Sequence, residues 1–463
     1  MPNRSRPYAK VVDLTFVLAT VLFVLAFELL FFFATEDLAG PIYTVKVIVP
    51  VLLFVLAASR GVLFVPNNTL GTRYVVFTGL LLLCALLPTV INLGFGPGFI
   101  EWAKYLPRLI FITAVVAYLA RSERAAWMIA KGLCVIASLA TIQYCALFYH
   151  VIQRDLDVLY IFHDQVALGG ARGLLGNINS MMYFPSFDMP IPRLTSYWLE
   201  PSTASAFMFA AFFLGRALYD AGYNKFWAIC GWFAFAGGFA CMSNAGYLAI
   251  GVALLLPTIV RLHIRLNWFK RVLFFLLGMP LIVLALHGRD YVAHNLSDND
   301  VARAVTGVRE APANPGEFDA FGGRLEMITL VYELISKRPL GTGLFKNSDD
   351  IAAPSAPIKW LAMAGLGGFL IVVWRELMLL RSAVVSLRFH PAYRGLVQAW
   401  TAVAVQQLSY GEWANGLYLL LAGMVGCMPF WIQAHQRAAQ AKAEISQNLM
   451  PADTGLSQFA AVG

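Results

Sequence analysis

Long apolar runs separated by short polar connections constrain this chain more than any other feature. A helix needs roughly 20 mostly apolar residues to cross a bilayer core, and about twelve runs approach that length. They cover residues 12–34, 43–58, 74–93, 106–120, 126–151, 201–218, 226–242, 246–262, 272–287, 360–379, 395–409 and 417–432. The expected fold class is an all-α polytopic membrane protein with about twelve transmembrane helices. Several runs are short, which leaves room for broken or displaced helices.

Composition agrees. The chain is 59% hydrophobic and only 13% charged, against about 45–50% and about 25% in soluble domains. Its 34 Phe, 18 Tyr and 11 Trp suit a bilayer with aromatic belts at both interfaces. A net charge of +8 raises the question of nucleic acid. Placement of the cations answers it: they lie in short connections between apolar runs, so no nucleic-acid partner is expected. Arg60 and Arg73 follow the second run, Arg121 and Arg124 the fourth, Arg216 and Lys225 the sixth, and Arg261 and Arg265 the eighth. Arg381 and Arg388 follow the tenth, and Arg437 and Lys442 the last. By the positive-inside rule the even-numbered exits, and both termini, are cytoplasmic. Residues 1–434 then form one transmembrane domain, with large outer loops at 152–200 and 288–359, and 435–463 a partly disordered cytoplasmic tail. The six cysteines all fall in apolar runs with no metal-ligand spacing, and no metal or other cofactor is expected. Met1 to Lys10 is basic, but the run after it has no small-residue cleavage site, so no cleavable signal is expected.

The outer loops and their flanks carry the residues with chemical potential. Arg193 and Glu200 stand seven residues apart before the run that begins at Pro201. On a helix that spacing is two turns and one face. Such a pair reads either as a carboxylate base beside a phosphate-binding Arg or as an ion pair at a helix entry. Tyr197 lies between them. In the second loop Leu325, Ile328, Val331 and Ile335 recur at helical spacing, and Arg338-Pro339-Leu340-Gly341-Thr342-Gly343 ends the helix in a turn. Arg324 opens that helix. Lys104 and Arg108, four apart at the outer end of the fourth run, either meet an anionic headgroup or snorkel to the interface. His287 and His294 are alternative bases.

Taken together these segments resemble the O-antigen polymerase and ligase superfamily. The resemblance rests on Arg193, Ser196, Glu200 and Pro201 before a span, on Ser243-Asn244-Ala245-Gly246-Tyr247 between two spans, and on Gly323-Arg324 followed by a helix and the Arg338–Gly343 turn. It implies a GT-C-like, metal-independent membrane glycosyltransferase at the periplasmic face of a bacterial inner membrane. The implied donor is an undecaprenyl-diphosphate-linked oligosaccharide, with a flippase and a chain-length regulator as partners. Under it Glu200, Arg193 and Arg324 are the candidate catalytic residues, and Lys104, Arg108, Tyr197 and Arg338 the candidate substrate contacts. Ligases of this superfamily typically carry a His soon after the Pro-x-Gly-x-Gly turn. Residues 345–365 contain none, which favours a polymerase. A lipid-linked sugar flippase or other transporter is the rival class; it favours repeated halves and a midplane polar site, neither of which is evident in the sequence.

Overall fold

The computed structural model describes residues 7–29, 36–62, 70–152, 181–183, 190–194, 201–265, 320–344, 356–409 and 415–449. Over these residues the protein is helical apart from one small antiparallel pair. The helices are α1 (Pro7–Leu29), α2 (Glu36–Ser59), α3 (Leu70–Leu93), α4 (Phe95–Ala103), α5 (Leu106–Arg121) and α6 (Glu123–Ile152). Strands β1 (Met181–Tyr183) and β2 (Pro190–Pro192) follow, pairing Met182 with Ile191. Then come α7 (Pro201–Asp220), α8 (Phe226–Ala240), α9 (Asn244–Arg265), α10 (Ala320–Lys337), α11 (Ala356–Ser386), α12 (Pro391–Ser409) and α13 (Gly416–Leu449). Every apolar run predicted from sequence coincides with a helix, except 272–287, which lies outside the described residues.

Five helical stretches are long and apolar enough to cross a membrane: Leu70–Leu93, Phe95–Arg121, Glu123–Ala146, Pro357–Ser386 and Gly416–Ile445. Shorter apolar helices, among them Phe226–Ala240 and Asn244–Val260, pack beside them. The chain is thus a helical, multi-pass membrane protein. Its outward surface is correspondingly apolar: Leu83, Leu87, Trp232 and Leu377 are all exposed. In water such a surface would drive aggregation; against lipid it costs nothing.

Small residues let the helices approach. A Cβ on Gly215 of α7 would stand 2.9 Å from the Gly231 Cα of α8. Helices α6, α7, α8, α9 and α12 form one packed group around Phe207, Phe209 and Phe213. A second group joins α3, α4, α10 and α11 through Leu81, Leu82, Trp102, Leu344, Trp360 and Met363. Helix α13 ties them to α5, with Trp431 Nε1 donating to the Leu119 carbonyl (2.7 Å) and Ser382 of α11 donating to the Val425 carbonyl (3.0 Å).

At one end of the bundle the basic connections meet. Arg60 pairs with Asp13 at 2.6 Å, and the Tyr118 hydroxyl donates to the same carboxylate. Arg121 donates to the Gly61 carbonyl at 3.0 Å. Glu123 accepts from Trp127 (3.1 Å) and Tyr393 (3.0 Å) and meets His435 at 2.7 Å. Connections far apart in sequence share this basic end, as alternating spans require.

Candidate functional site

Arg193 sits immediately after β2 and is buried, with 6% exposure. Its Nε donates to the Cys241 carbonyl at 3.0 Å and its Nη2 donates to the Met242 carbonyl. The next residue continues the attachment, Leu194 N–H donating to the Ala240 carbonyl at 2.9 Å. These acceptors lie at and just beyond the end of α8, where helical carbonyls lose their own partners. Arg193 therefore closes the end of α8. The turn that follows is tight: Met242 has a φ of 45°, and Ser243 starts α9 by accepting Tyr247 N–H on its carbonyl (2.9 Å) and Gly246 N–H on its hydroxyl (3.4 Å). Gly246 lies against Ser205 of α7, so a Cβ there would stand 2.5 Å from the Ser205 Cβ. The structure thus brings the Arg193 segment and the Ser243–Tyr247 segment, fifty residues apart, onto one junction of α7, α8 and α9. Tyr197 and Glu200 lie outside the described residues, so the Arg193–Glu200 spacing has no described geometry.

The Arg338–Gly343 turn is a strap laid between α3 and α11. Helix α11 breaks at Gly365 (φ 66°, ψ −165°), and the strap fills the notch. Thr342 N–H donates to the Ala362 carbonyl and Gly343 N–H to the Met363 carbonyl, each at 2.8 Å. On the other side Leu344 N–H donates to Thr89 Oγ1 (2.7 Å) and Asn92 Nδ2 to the Thr342 carbonyl (2.7 Å). Gly341 and Gly343 have φ values of 89° and 87°, and a Cβ on Gly343 would meet the Thr89 amide nitrogen at 2.5 Å. Both glycines are thus required by backbone geometry and close approach. Arg338 is exposed, and its Nη1 donates to Asn92 Oδ1 at 3.2 Å. Arg324 lies in α10, the amphipathic helix expected from sequence, but its side chain falls outside the described set. His287 and His294 are likewise outside the described residues.

Lys104 and Arg108 do not share a helical face in the simple way their spacing predicts. Helix α4 ends at Ala103, Lys104 and Tyr105 form a turn, and α5 begins with Pro107 in its first turn. Helix α4 itself folds back along α3 after Gly94 (φ 82°): Gly98 fits against Val90, and Trp102 Nε1 donates to the Leu82 carbonyl at 2.7 Å. Lys104 pairs with Glu101 at 2.5 Å, and the Arg108 guanidinium lies over the Tyr105 ring at 4.4 Å. Measured along α5, Leu106 stands about 23 Å from Arg121 at the usual rise per residue. Thr141 of α6, which donates to the Phe233 carbonyl near the Arg193 junction, stands about 27 Å from Glu123 by the same rise. Because α4 doubles back, Trp102 and the Lys104 turn stand beside the middle of α3, about 17 Å before its end at Leu93 at the usual rise.

One cluster escaped the sequence reading. Arg375 and Glu376 lie inside the predicted run 360–379, and Arg375 is 1% exposed. Its Nε and Nη2 donate to Glu376 Oε1 at 3.0 and 2.7 Å, its Nη1 reaches Thr78 Oγ1 at 3.4 Å, and its guanidinium lies 4.9 Å from the Tyr74 ring centre. The Tyr418 hydroxyl donates to Glu376 Oε2. A cavity of about 300 Å3 between α11, α12 and α13 is lined by Glu376, Tyr418, Trp400 and Gln407 among apolar neighbours. Two adjacent charges within an apolar run were the available signal, because charge inside a span is expensive and tends to be functional. Among the described residues no cluster of His, Cys, Asp and Glu can hold a metal ion. No protein-family model matches this chain, and no curated protein is significantly similar to it.

Proposed function

We propose that this chain is a polysaccharide polymerase of the O-antigen polymerase type. It joins undecaprenyl-diphosphate-linked repeat units at the periplasmic face of a bacterial inner membrane, through about twelve spans with cytoplasmic termini. The observation that carries this reading is the meeting of two motif-bearing segments within a helical membrane bundle. Arg193 and the Ser243–Tyr247 turn share one junction, while Lys104 and Arg108 flank the break between α4 and α5. The leaving group of the donor is already a good one, so the protein needs to neutralise developing phosphate charge and to accept one hydroxyl proton. Fixed cations supply the first. A ligase acting on the same class of donor is disfavoured by the absence of His from residues 345–365.

A transporter is the second reading, and the Arg375–Glu376–Tyr418 cluster inside the spans favours it. One reconstitution separates the two. Purified protein in liposomes receives lipid-linked repeat units, and the products are resolved by length. A ladder of longer chains is the expected result. Transfer of label across the bilayer without chain growth replaces the polymerase by the transporter.

A further inference from the structure

We infer that Glu101, at the break between α4 and α5, is the proton acceptor of the proposed reaction, with Lys104 and Arg108 as the cations that receive the departing diphosphate. The inference rests on the polymerase reading and assigns its base to a residue that sequence spacing did not single out.

Four observations converge on Glu101. Its position is rigid, because the adjacent Trp102 is pinned to the Leu82 carbonyl and Gly98 seats α4 on α3. Only one of its oxygens is engaged: Oε1 meets Lys104 Nζ at 2.5 Å, and Oε2 accepts no hydrogen bond among the described residues. The group is accessible, at 28% side-chain exposure. Finally, the other described carboxylates are placed for different work. Asp13 and Glu123 hold the basic end together, both oxygens of Glu376 are occupied by Arg375 and Tyr418, Glu333 is exposed on α10, Asp220 ends α7 and Glu444 is exposed near the end of α13.

The surroundings fit a diphosphate. The cation nearest Glu101 is the Lys104 ammonium, at the turn that joins α4 to α5. Arg108 follows within the first turn of α5, its guanidinium plane against Tyr105. A carboxylate oxygen with no hydrogen bond among the described residues thus lies beside the Lys104 ammonium, with the Arg108 guanidinium four residues further on.

The chemistry balances without a metal or a second reactant. The acceptor hydroxyl oxygen forms a bond to the anomeric carbon of the donor sugar. The bond from that carbon to the diphosphate oxygen breaks, and its electron pair leaves with the lipid diphosphate. The hydroxyl proton moves to Glu101 Oε2. Lys104, released from sole duty to Glu101, shares its charge with the leaving phosphate, so proton uptake by the carboxylate and charge gain by the phosphate reinforce each other.

The test uses full-length protein in liposomes with undecaprenyl-diphosphate-linked repeat units. Glu101→Gln is expected to keep the thermal midpoint and binding of undecaprenyl diphosphate while slowing ladder growth by about 10²-fold or more. Lys104→Met should weaken undecaprenyl-diphosphate binding roughly tenfold. Should Glu101→Gln leave Lys104 unpaired and unfold the protein, Glu101→Gln with Lys104→Met removes both charges. That double variant is expected to fold and stay inactive, and its recovery of wild-type turnover would reduce the pair to a structural tie. Ladder growth within about threefold of wild type in Glu101→Gln, or loss of growth in Glu200→Gln alone, overturns the assignment but leaves the polymerase reading standing. A wild-type protein that makes no ladder removes both.

Discussion

Two buried arginines in this molecule have opposite electrostatic fates. Arg375 is enclosed among α3, α11 and α13 and donates twice to the carboxylate of its neighbour Glu376. Its charge is cancelled where it stands. Arg193 is nearly as buried, yet its identified acceptors are the carbonyls of Cys241 and Met242. The carbonyl end of a helix carries only about half an elementary charge. Arg375 thus has a formal anion among its acceptors, whereas the acceptors described for Arg193 are neutral carbonyls. The difference teaches that burial does not by itself say whether an arginine serves packing or an anion; the formal charge of its acceptors does.

That contrast can be broken first at Glu376. Glu376→Gln leaves a fully buried guanidinium without its counter-charge, and removal of one partner from a buried pair costs about 3–5 kcal/mol. A large drop in the thermal midpoint of detergent-purified protein is expected. Arg375→Met combined with Glu376→Gln should restore most of it. If Glu376→Gln unfolds at the wild-type temperature, Arg375 reaches water and the two arginines are alike after all.

A smaller effect is expected at Arg193. Arg193→Ala deletes two charge-assisted bonds to carbonyls, each of a kind worth about 1.5–3 kcal/mol. Arg193→Lys restores the charge but not the planar fork that reaches both acceptors. Thermal stability should therefore fall in both variants, and further in Arg193→Ala. Equal loss in the two would mean that the fork, and not the charge, matters there.

The smallest expected change sharpens the comparison from outside it, because the strap carries no charge in its glycines. Gly343→Ala forces a β-carbon into a left-handed backbone and against Thr89, at about 1–3 kcal/mol. Gly367→Ala, where a β-carbon meets open space, is the matched control and should shift stability by no more than about 0.5 kcal/mol. A thermal midpoint for Gly343→Ala no lower than the control would show that the strap yields, and that the notch in α11 does not hold it.

Much of the helical framework was legible in the sequence, because length and apolarity of a run are local properties read directly by a bilayer. The pattern of basic connections also carried information that the structure makes concrete: Arg60, Arg121 and the turn at Tyr393 are drawn to one end. The amphipathic helix over α10 was readable from its period, and the glycines after it marked a turn. What they turn against was not. The notch at Gly365 and the reach to Thr89 depend on α3 and α11 lying side by side.

The candidate site divides along the same line. Residue types and spacing nominated Arg193, Lys104, Arg108 and Arg338, because cations beside apolar runs are rare enough to notice. Spacing cannot report what a side chain meets. A seven-residue interval linked Arg193 to Glu200, which lies outside the described residues, and could not show that Arg193 donates to carbonyls 48 and 49 residues away. A four-residue interval placed Lys104 beside Arg108, whereas the break at Tyr105 turns it toward Glu101. Arg375 and Glu376 passed unnoticed because they stand inside an otherwise apolar run, where only the packing of α3 and α13 supplies their partners. The sequence by itself determined that this chain enters a bilayer as helices and which of its ends are basic, since transfer of each run into lipid depends on that run alone. Only the tertiary structure decided which acceptors each charge meets, since that depends on groups brought together by packing from distant parts of the chain.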